Sequence, residues 1–505
     1  GDLDLVVNNN NESPFLLENQ VSNGNWIKVK ANAGPMNSFG YGVKAIAFDE
    51  GELQYQELSP VRGYQSSCAA EIHFGLANTS ILDSLLIIFP NGTSILEKGV
   101  KSNQTLTFDI AKAKKSALNV YQFPKHDFVD YQKSVGLDWR HEENQYNDFE
   151  REVLLPHKQS EHGPASAVVD INGDGLDDVF VGGSAGISSH FFIQNEQGKF
   201  SLADGLRKDA RFEDVDAEFF DVDQDGDMDL LVASGGYQWE ANDDLYTHRL
   251  YLNDGNGGFK RDADFPKIKS NGKCVSIADW DKDGDQDVFI GSHARPGLYP
   301  QNDPSFFLEN KSGKLVNVSE SICSATLGMV TDAKWGDLTG NNVNELVLVG
   351  EWMSPTVLEW KNGAFESSSL NQSLKNTIGW WWTVEVADVN GDGVQDLVAG
   401  NIGANNKFHP SNDRPLRIYG NDFDGNGTND VVLSKMYKDK FVPVRGRECS
   451  SEQMPFVKEK FKNFESFSQA KIEEVLGAAM NDALFYEARE FRSGVFINSG
   501  FGDFT

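Results

Sequence analysis

A nine-residue acidic stretch occurs six times in this chain, and its spacing limits the possible folds more than any other feature. The copies are D-I-N-G-D-G-L-D-D (170–178), D-V-D-Q-D-G-D-M-D (221–229), D-W-D-K-D-G-D-Q-D (279–287), D-L-T-G-N-N-V-N-E (337–345), D-V-N-G-D-G-V-Q-D (388–396) and D-F-D-G-N-G-T-N-D (422–430). Their starts are 51, 58, 58, 51 and 34 residues apart. Short β-rich runs follow, among them "DDVFVGG", "MDLLVASGG", "QDVFIGS", "NELVLVGEW" and "QDLVAGN". A second unit trails at a distance: "FFIQNEQGKF", "LYLNDGNGGF", "FFLENKSGKL" and "VFINSGFGDF", each a strand, a Gly-rich turn and another hydrophobic residue. That is a hairpin pattern. A period near fifty with about four short strands per repeat predicts an all-β fold, a β-propeller. About seven blades are expected, and the set need not be complete within this chain.

Five copies carry an oxygen at positions 1, 3, 5 and 9. These are Asp170, Asn172, Asp174 and Asp178; Asp221, Asp223, Asp225 and Asp229; Asp279, Asp281, Asp283 and Asp287; Asp388, Asn390, Asp392 and Asp396; and Asp422, Asp424, Asn426 and Asp430. Position 6 is Gly in all five. Calcium takes six to eight hard oxygens at about 2.3–2.6 Å, and a backbone carbonyl at position 7 can add one. The Gly permits the positive φ that turns the ligands inward. An EF-hand would need a bidentate Glu at position 12. Here that place holds Val181, Val232, Ile290, Ala399 and Leu433, so position 9 must close the site. Asp, Asn and Gly also make good turns with no ion, but five loops filled alike point to structural cations. The fourth copy keeps Asp337 and Glu345 while carrying Thr339, Asn341 and Asn342. With two carboxylates it is expected to be a weak site, or an empty one held by hydrogen bonds. The reading is about five Ca²⁺ sites and a sixth of doubtful occupancy.

Composition narrows the partners. Lys plus Arg total 45 against 76 Asp plus Glu, a formal charge of −31. Such a field repels nucleic acid and anionic lipid. Four cysteines (Cys68, Cys274, Cys323, Cys449) lie far apart, which fits neither a zinc site nor a disulfide framework and leaves one or two bridges open. The apolar run at Leu85–Phe89 is far shorter than the ~18–20 residues of a spanning helix. Residues 24–110 alternate as strands without an acidic nine-mer and read as a small β-sandwich. Residues 111–149 read as a connecting segment, and 150–505 as the propeller with a helical insertion at 449–490. Residues 1–23 are expected to be the end of a preceding propeller repeat, with Gly1 at position 6 and Asp4 at position 9 of a loop whose first ligands are missing.

No catalytic constellation stands out. His73, His162, His248, His293 and His409 are scattered, and H-E-x-x-H does not occur. Aromatics are more suggestive. Trp380, Trp381 and Trp382 precede the fifth loop and are candidates for stacking on a ligand, with at least one partly exposed if strand alternation holds. The competing reading places these rings, with Trp239, Trp335, Trp352, Trp360 and Tyr237, in the core between blades.

The nine-mers and their flank "AVVDINGDGLDDVFVGG" resemble the FG-GAP/VCBS repeats of integrin-α-like propellers. "NSFGYGVKAIAF" (37–48), "RGYQSS" (62–67), "IHFGLAN" (72–78) and "DSLLIIFPNGT" (83–93) resemble the ASPIC/UnbV domain. Their combination is similar to large secreted or surface-anchored proteins of Bacteroidota-type bacteria. The resemblance implies a non-enzymatic, calcium-stabilised binding or assembly module at the outer cell surface of a Gram-negative bacterium, with a protein or glycan ligand. A Ca²⁺-dependent polysaccharide lyase or glycoside hydrolase on the same scaffold is the alternative.

Overall fold

The computed structural model describes residues 4–9, 13–20, 24–61, 63, 66–115, 130–500 and 502–505. Gly1, the Arg62 and Tyr64 of the R-G-Y motif, and residues 116–129 of the expected connecting segment lie outside them. The chain divides into two compact units, Gly1–Val129 and Asp130–Thr505.

The first unit holds a hairpin, Leu5–Val7 with Phe15–Leu17, and a two-sheet sandwich. One sheet runs Lys114–Lys115, Thr93–Lys101, Ile81–Ile88, Lys44–Asp49, Glu52–Glu57; the other runs Ile72–Ala77, Asn25–Asn32, Gln104–Asp109. Alternation builds the core. In "NWIKVKAN" Ile27, Val29 and Ala31 are buried and meet Phe74, Leu85, Ile87 and Phe89 from other strands. The turn "NSFGYG" is fixed by Asn37, whose Oδ1 accepts from the Tyr41 N–H at 2.9 Å and whose amide donates to the Tyr41 carbonyl at 2.7 Å. Gly40 sits there at φ +71°, and a Cβ would lie 2.6 Å from the Ala31 carbonyl oxygen.

The second unit is a succession of antiparallel sheets. Blade one comprises Ser166–Val169, Asp178–Val181, His190–Gln194 and Phe200–Asp204; blade two, Asp214–Phe220, Asp229–Ser234, Arg249–Asn253 and Phe259–Arg261. Blade three comprises Gly272–Ala278, Asp287–Ser292, Phe306–Asn310 and Leu315–Asn317; blade four, Met329–Gly336, Glu345–Met353, Thr356–Lys361 and Ala364–Ser367. First strands of successive blades lie side by side. At their β-bulges, Asp216 accepts from the Val275 N–H of the next blade at 2.7 Å, and Asp332 from the Val384 N–H at 2.8 Å.

Blade five is divided. Gly379–Ala387 and Asp396–Asn401 are followed, almost a hundred residues later, by Gly494–Phe496, which pairs back through Leu397↔Phe496. The intervening 402–493 form a sheet of their own, ordered Lys440–Pro443, Asp430–Tyr437, Leu416–Asn421, Leu484–Ala488. They also carry four short helices: Arg447–Gln453, Phe456–Lys460, Phe464–Ser468 and Ile472–Leu476. The insertion is thus twice the 449–490 expected from the helical pattern. It contains the sixth acidic loop, which explains the short 34-residue step: that loop belongs to the inserted sheet and not to a next blade in line. Among the described residues there are five blades and this inserted sheet. Leu416, Ile418, Val431, Leu433 and Ala488 of the insertion pack with Tyr237, Tyr299, Met329, Trp352 and Trp380 of blades two to five. The fit is close, since a Cβ on Gly420 would lie 2.6 Å from Pro300 Cδ. All four cysteines are free thiols.

Candidate functional site

Each acidic loop joins the first and second strands of its sheet. Backbone geometry comes first. Position 6 has positive φ in all six, including Asn342 at +61°, so the fourth turn persists without its Gly. Position 4 is also left-handed, at Gly173, Gln224, Lys282, Gly340, Gly391 and Gly425. Sequence reasoning missed this second reversal because Gln224 and Lys282 break the Gly pattern.

The position 1 carboxylate then gathers the N–H groups of the turn. Asp170 accepts from Gly173 at 2.8 Å and Gly175 at 2.7 Å, Asp388 from Gly391 at 2.7 Å and Gly393 at 2.9 Å, and Asp422 from Gly425 and Gly427 at 2.8 Å each. Those N–H donors lower the pKa of Asp388 and Asp422. Position 5 accepts from the N–H of position 7, as in Asp225 from Asp227 at 3.0 Å and Asp283 from Asp285 at 2.9 Å. Positions 1, 3 and 5 lie toward the surface.

The closing residue lies beneath them. Asp178, Asp229, Asp287, Glu345, Asp396 and Asp430 are all buried. One oxygen accepts the position 2 N–H of its own loop: Val222 at 3.1 Å, Val389 at 3.0 Å, Phe423 at 2.9 Å. In four blades the other accepts an N–H at or just past the end of the third strand, from Gln194, Asn253, Asn310 or Asn498 at 2.7–2.8 Å. Burial, aided by the neighbouring loop carboxylates, pushes the pKa of Asp229 up to about 6 and of Asp287 and Asp430 to about 7, against the pull of those donors.

Three loops bring three carboxylates to within 4.8 Å of one another: Asp221, Asp223 and Asp225; Asp279, Asp281 and Asp287; Asp422, Asp424 and Asp430. The loops at 170–178 and 388–396 have the same turn with Asn172 and Asn390 at position 3; Asn390 donates its amide to Asp392 at 2.9 Å. Asp279 Oδ1 is buried with no hydrogen-bond partner. An all-oxygen set of this kind, with crowded carboxylates and an orphaned oxygen, fits a hard divalent cation. The fourth loop satisfies itself instead. Glu345 accepts from the Leu338 N–H at 2.7 Å, the Thr339 N–H at 3.1 Å and the Thr339 hydroxyl at 3.0 Å. Asp337 takes the Asn341 and Asn342 N–H groups at 3.0 and 2.8 Å, and Lys282 Nζ donates to the Asn342 carbonyl at 2.5 Å.

The tryptophan triplet requires a correction. Trp380 is 2 % exposed, with Trp352 and Phe491 rings at 4.9 and 5.2 Å; Trp381 is fully buried, its Nε1 donating to the Thr377 carbonyl at 2.9 Å. Neither has a face free for a ligand. Two successive rings are buried because the register shifts between Trp381 and Thr383, which interrupts strict alternation. Trp382 alone is half-buried, beside His157, His162 and His293 at 5.3, 6.2 and 6.4 Å between ring centroids. Of the scattered histidines, His162 and His293 therefore converge, together with His157. His157 Nε2 pairs with buried Glu351, whose second oxygen accepts from the Tyr299 hydroxyl at 2.7 Å. Nothing in their sequence spacing signals that cluster.

Sheets repeating an acidic loop between their first and second strands, beside a small β-sandwich, define an all-β, propeller-like repeat protein. The FG-GAP-like repeat family matches residues 170–232, 221–290 and 337–399, and the ASPIC and UnbV family matches 34–115. The chain is an FG-GAP repeat protein with an ASPIC/UnbV domain. The inserted loop at 422–430 lies outside the matched segments. A search of curated proteins gives no match.

Proposed function

We propose that this chain is a non-enzymatic, calcium-stabilised binding or assembly module acting outside the cell or at the outer surface of a Gram-negative bacterium, on a protein or glycan ligand. The carboxylate triads over a buried closing Asp are the observation that carries the calcium reading. Oxygen ligands and no sulfur or imidazole favour calcium over softer metals. Five loops would each hold one ion, and the self-satisfied loop of Asp337 and Glu345 none. Loops of modest charge suit the ~10⁻⁴–10⁻³ M affinities of extracellular modules. No helix among the described residues is long and apolar enough to cross a membrane.

The test has two arms. Millimolar calcium should raise the melting temperature and EDTA should lower it; unchanged melting in both would sink the calcium reading. A glycan array and a pull-down against outer-envelope extract then separate ligand classes. Product release from a panel of acidic and neutral glycans would instead support the lyase or hydrolase alternative.

A further inference from the structure

We propose that Asn253, Asn310 and Asn498 are positioning residues that couple the cation loops of neighbouring blades, so that filling one loop tightens the next. The inference rests on the calcium reading above.

Asn253 and Asn310 end the third strand of their blades, Asn498 lies two residues past the end of Gly494–Phe496, and all three make the same three contacts. Its N–H donates to the closing carboxylate of its own loop, at 2.8 Å to Asp229, Asp287 and Asp396 respectively. Its side-chain amide donates to the position 8 carbonyl of that loop: Met228 at 3.0 Å, Gln286 at 3.2 Å, Gln395 at 3.1 Å. The same amide reaches into the preceding blade, to the position 2 carbonyl of Ile171 at 2.9 Å, Val222 at 2.8 Å and Leu338 at 2.7 Å. That carbonyl stands between ligand positions 1 and 3. A single planar, buried amide therefore fixes the closing end of one loop to the opening end of another.

An ordered loop holds its position 2 carbonyl in place, and the amide bound to it then pre-orders the closing Asp of the following loop. The second cation meets a site whose conformational freedom is already spent, which is positive coupling without any large movement.

The series is interrupted once, and that interruption is an internal control. Blade four has Trp360 where Asn253 stands in blade two, given Leu346↔Leu358 against Leu230↔Tyr251. The third loop has Trp280 at position 2, and its ring packs on Trp335, Trp360 and Phe365 with centroids at 6.0, 6.4 and 5.6 Å. Rings replace the amide bridge between blades three and four. Loops one, two and three then form one coupled set, while the fifth is tied to the self-satisfied fourth.

The experiment is a calcium titration of the full chain, following hydrogen exchange in the peptide covering 168–178. Asp225→Asn weakens the second loop at an exposed ligand without touching the core. By reciprocity it should raise the calcium midpoint of the unmutated first loop at least about fivefold. Asn253→Ala should abolish that dependence, and Asp225→Asn should leave the 388–396 peptide unmoved. An unchanged midpoint at 168–178 in Asp225→Asn, with calcium still protecting both loops in wild type, would overturn the coupling and spare the calcium reading. Absence of calcium protection in wild type would overturn the calcium reading itself. A purely structural role predicts equal loss of melting temperature in Asn253→Ala with and without calcium and no shift at 168–178, which also counts against the proposal.

Discussion

Asp229 shows what a closing carboxylate does besides facing a cation. It accepts the Val222 N–H at 3.1 Å and the Asn253 N–H at 2.8 Å while 2 % exposed. Asp229→Ala leaves two buried donors unmatched, at about 1–3 kcal/mol each, so urea denaturation in EDTA should already show a loss of roughly 2–6 kcal/mol. A loss seen only with calcium present would mean that the carboxylate serves the ion alone. The pair of half-buried His157 and buried Glu351 sets a pH dependence. Burial would raise the Glu351 carboxyl, but the His157 imidazolium and its hydrogen bond hold it down to about 2. Its contribution to stability is present above the ordinary carboxylate pKa and lost as pH falls toward 2. Burial, outweighing nearby Glu351, holds His293 at about 4. The unfolded chain takes up that proton first, near pH 6.5, so this contribution to stability falls between about pH 6.5 and 4. Melting curves at pH 7 and 5 should show wild type losing more than His293→Leu.

At the level of elements, the aromatic contact between blades three and four substitutes packing for an amide bridge. Trp280 is 2 % exposed among Phe307, Trp335, Trp360 and Phe365. Trp280→Ala should cost about 3–5 kcal/mol by chemical denaturation, in calcium or in EDTA alike. The inserted sheet is held by shape: Gly420→Ala drives a methyl against Pro300, and about 1–3 kcal/mol of overpacking should appear in the same assay. These elements also mark what the sequence made legible. Strands, loops and the position 6 turn were readable because each rests on contacts within nine residues or on strict alternation. The second left-handed position, at Gln224 and Lys282, was not, since residues other than Gly can be held there by the surrounding loop. The role of Asn253, Asn310 and Asn498 within the hairpin pattern was not readable, since it depends on a carbonyl in another blade. Which of Trp380, Trp381 and Trp382 would be the exposed one was not readable, because periodicity does not report the bulge between Trp381 and Thr383. The insertion's start was hidden by its own acidic loop, which continued the repeat by eye while leaving the series in space.

For the whole molecule, the divided fifth blade has a consequence for how the chain reaches its fold. In blade two the pair Leu230↔Tyr251 joins residues 21 apart, whereas Leu397↔Phe496 joins residues 99 apart. Closing the longer segment as free coil costs about 1.4 kcal/mol more. That penalty shrinks if 402–493 folds first and brings its own ends together, as the Asn401 N–H donating to Ser493 Oγ at 3.0 Å shows that it does in the finished structure. The inserted sheet, with its loop at Asp422–Asp430, then acts as a checkpoint in time. The third strand of blade five docks more readily once the insertion has ordered, and on a ribosome it cannot dock until almost a hundred further residues have emerged. Refolding from urea should accordingly show protection of blades one to three in advance of Leu397–Ala399. Any condition that delays ordering of the 422–430 loop should lengthen that lag and leave the earlier phase untouched.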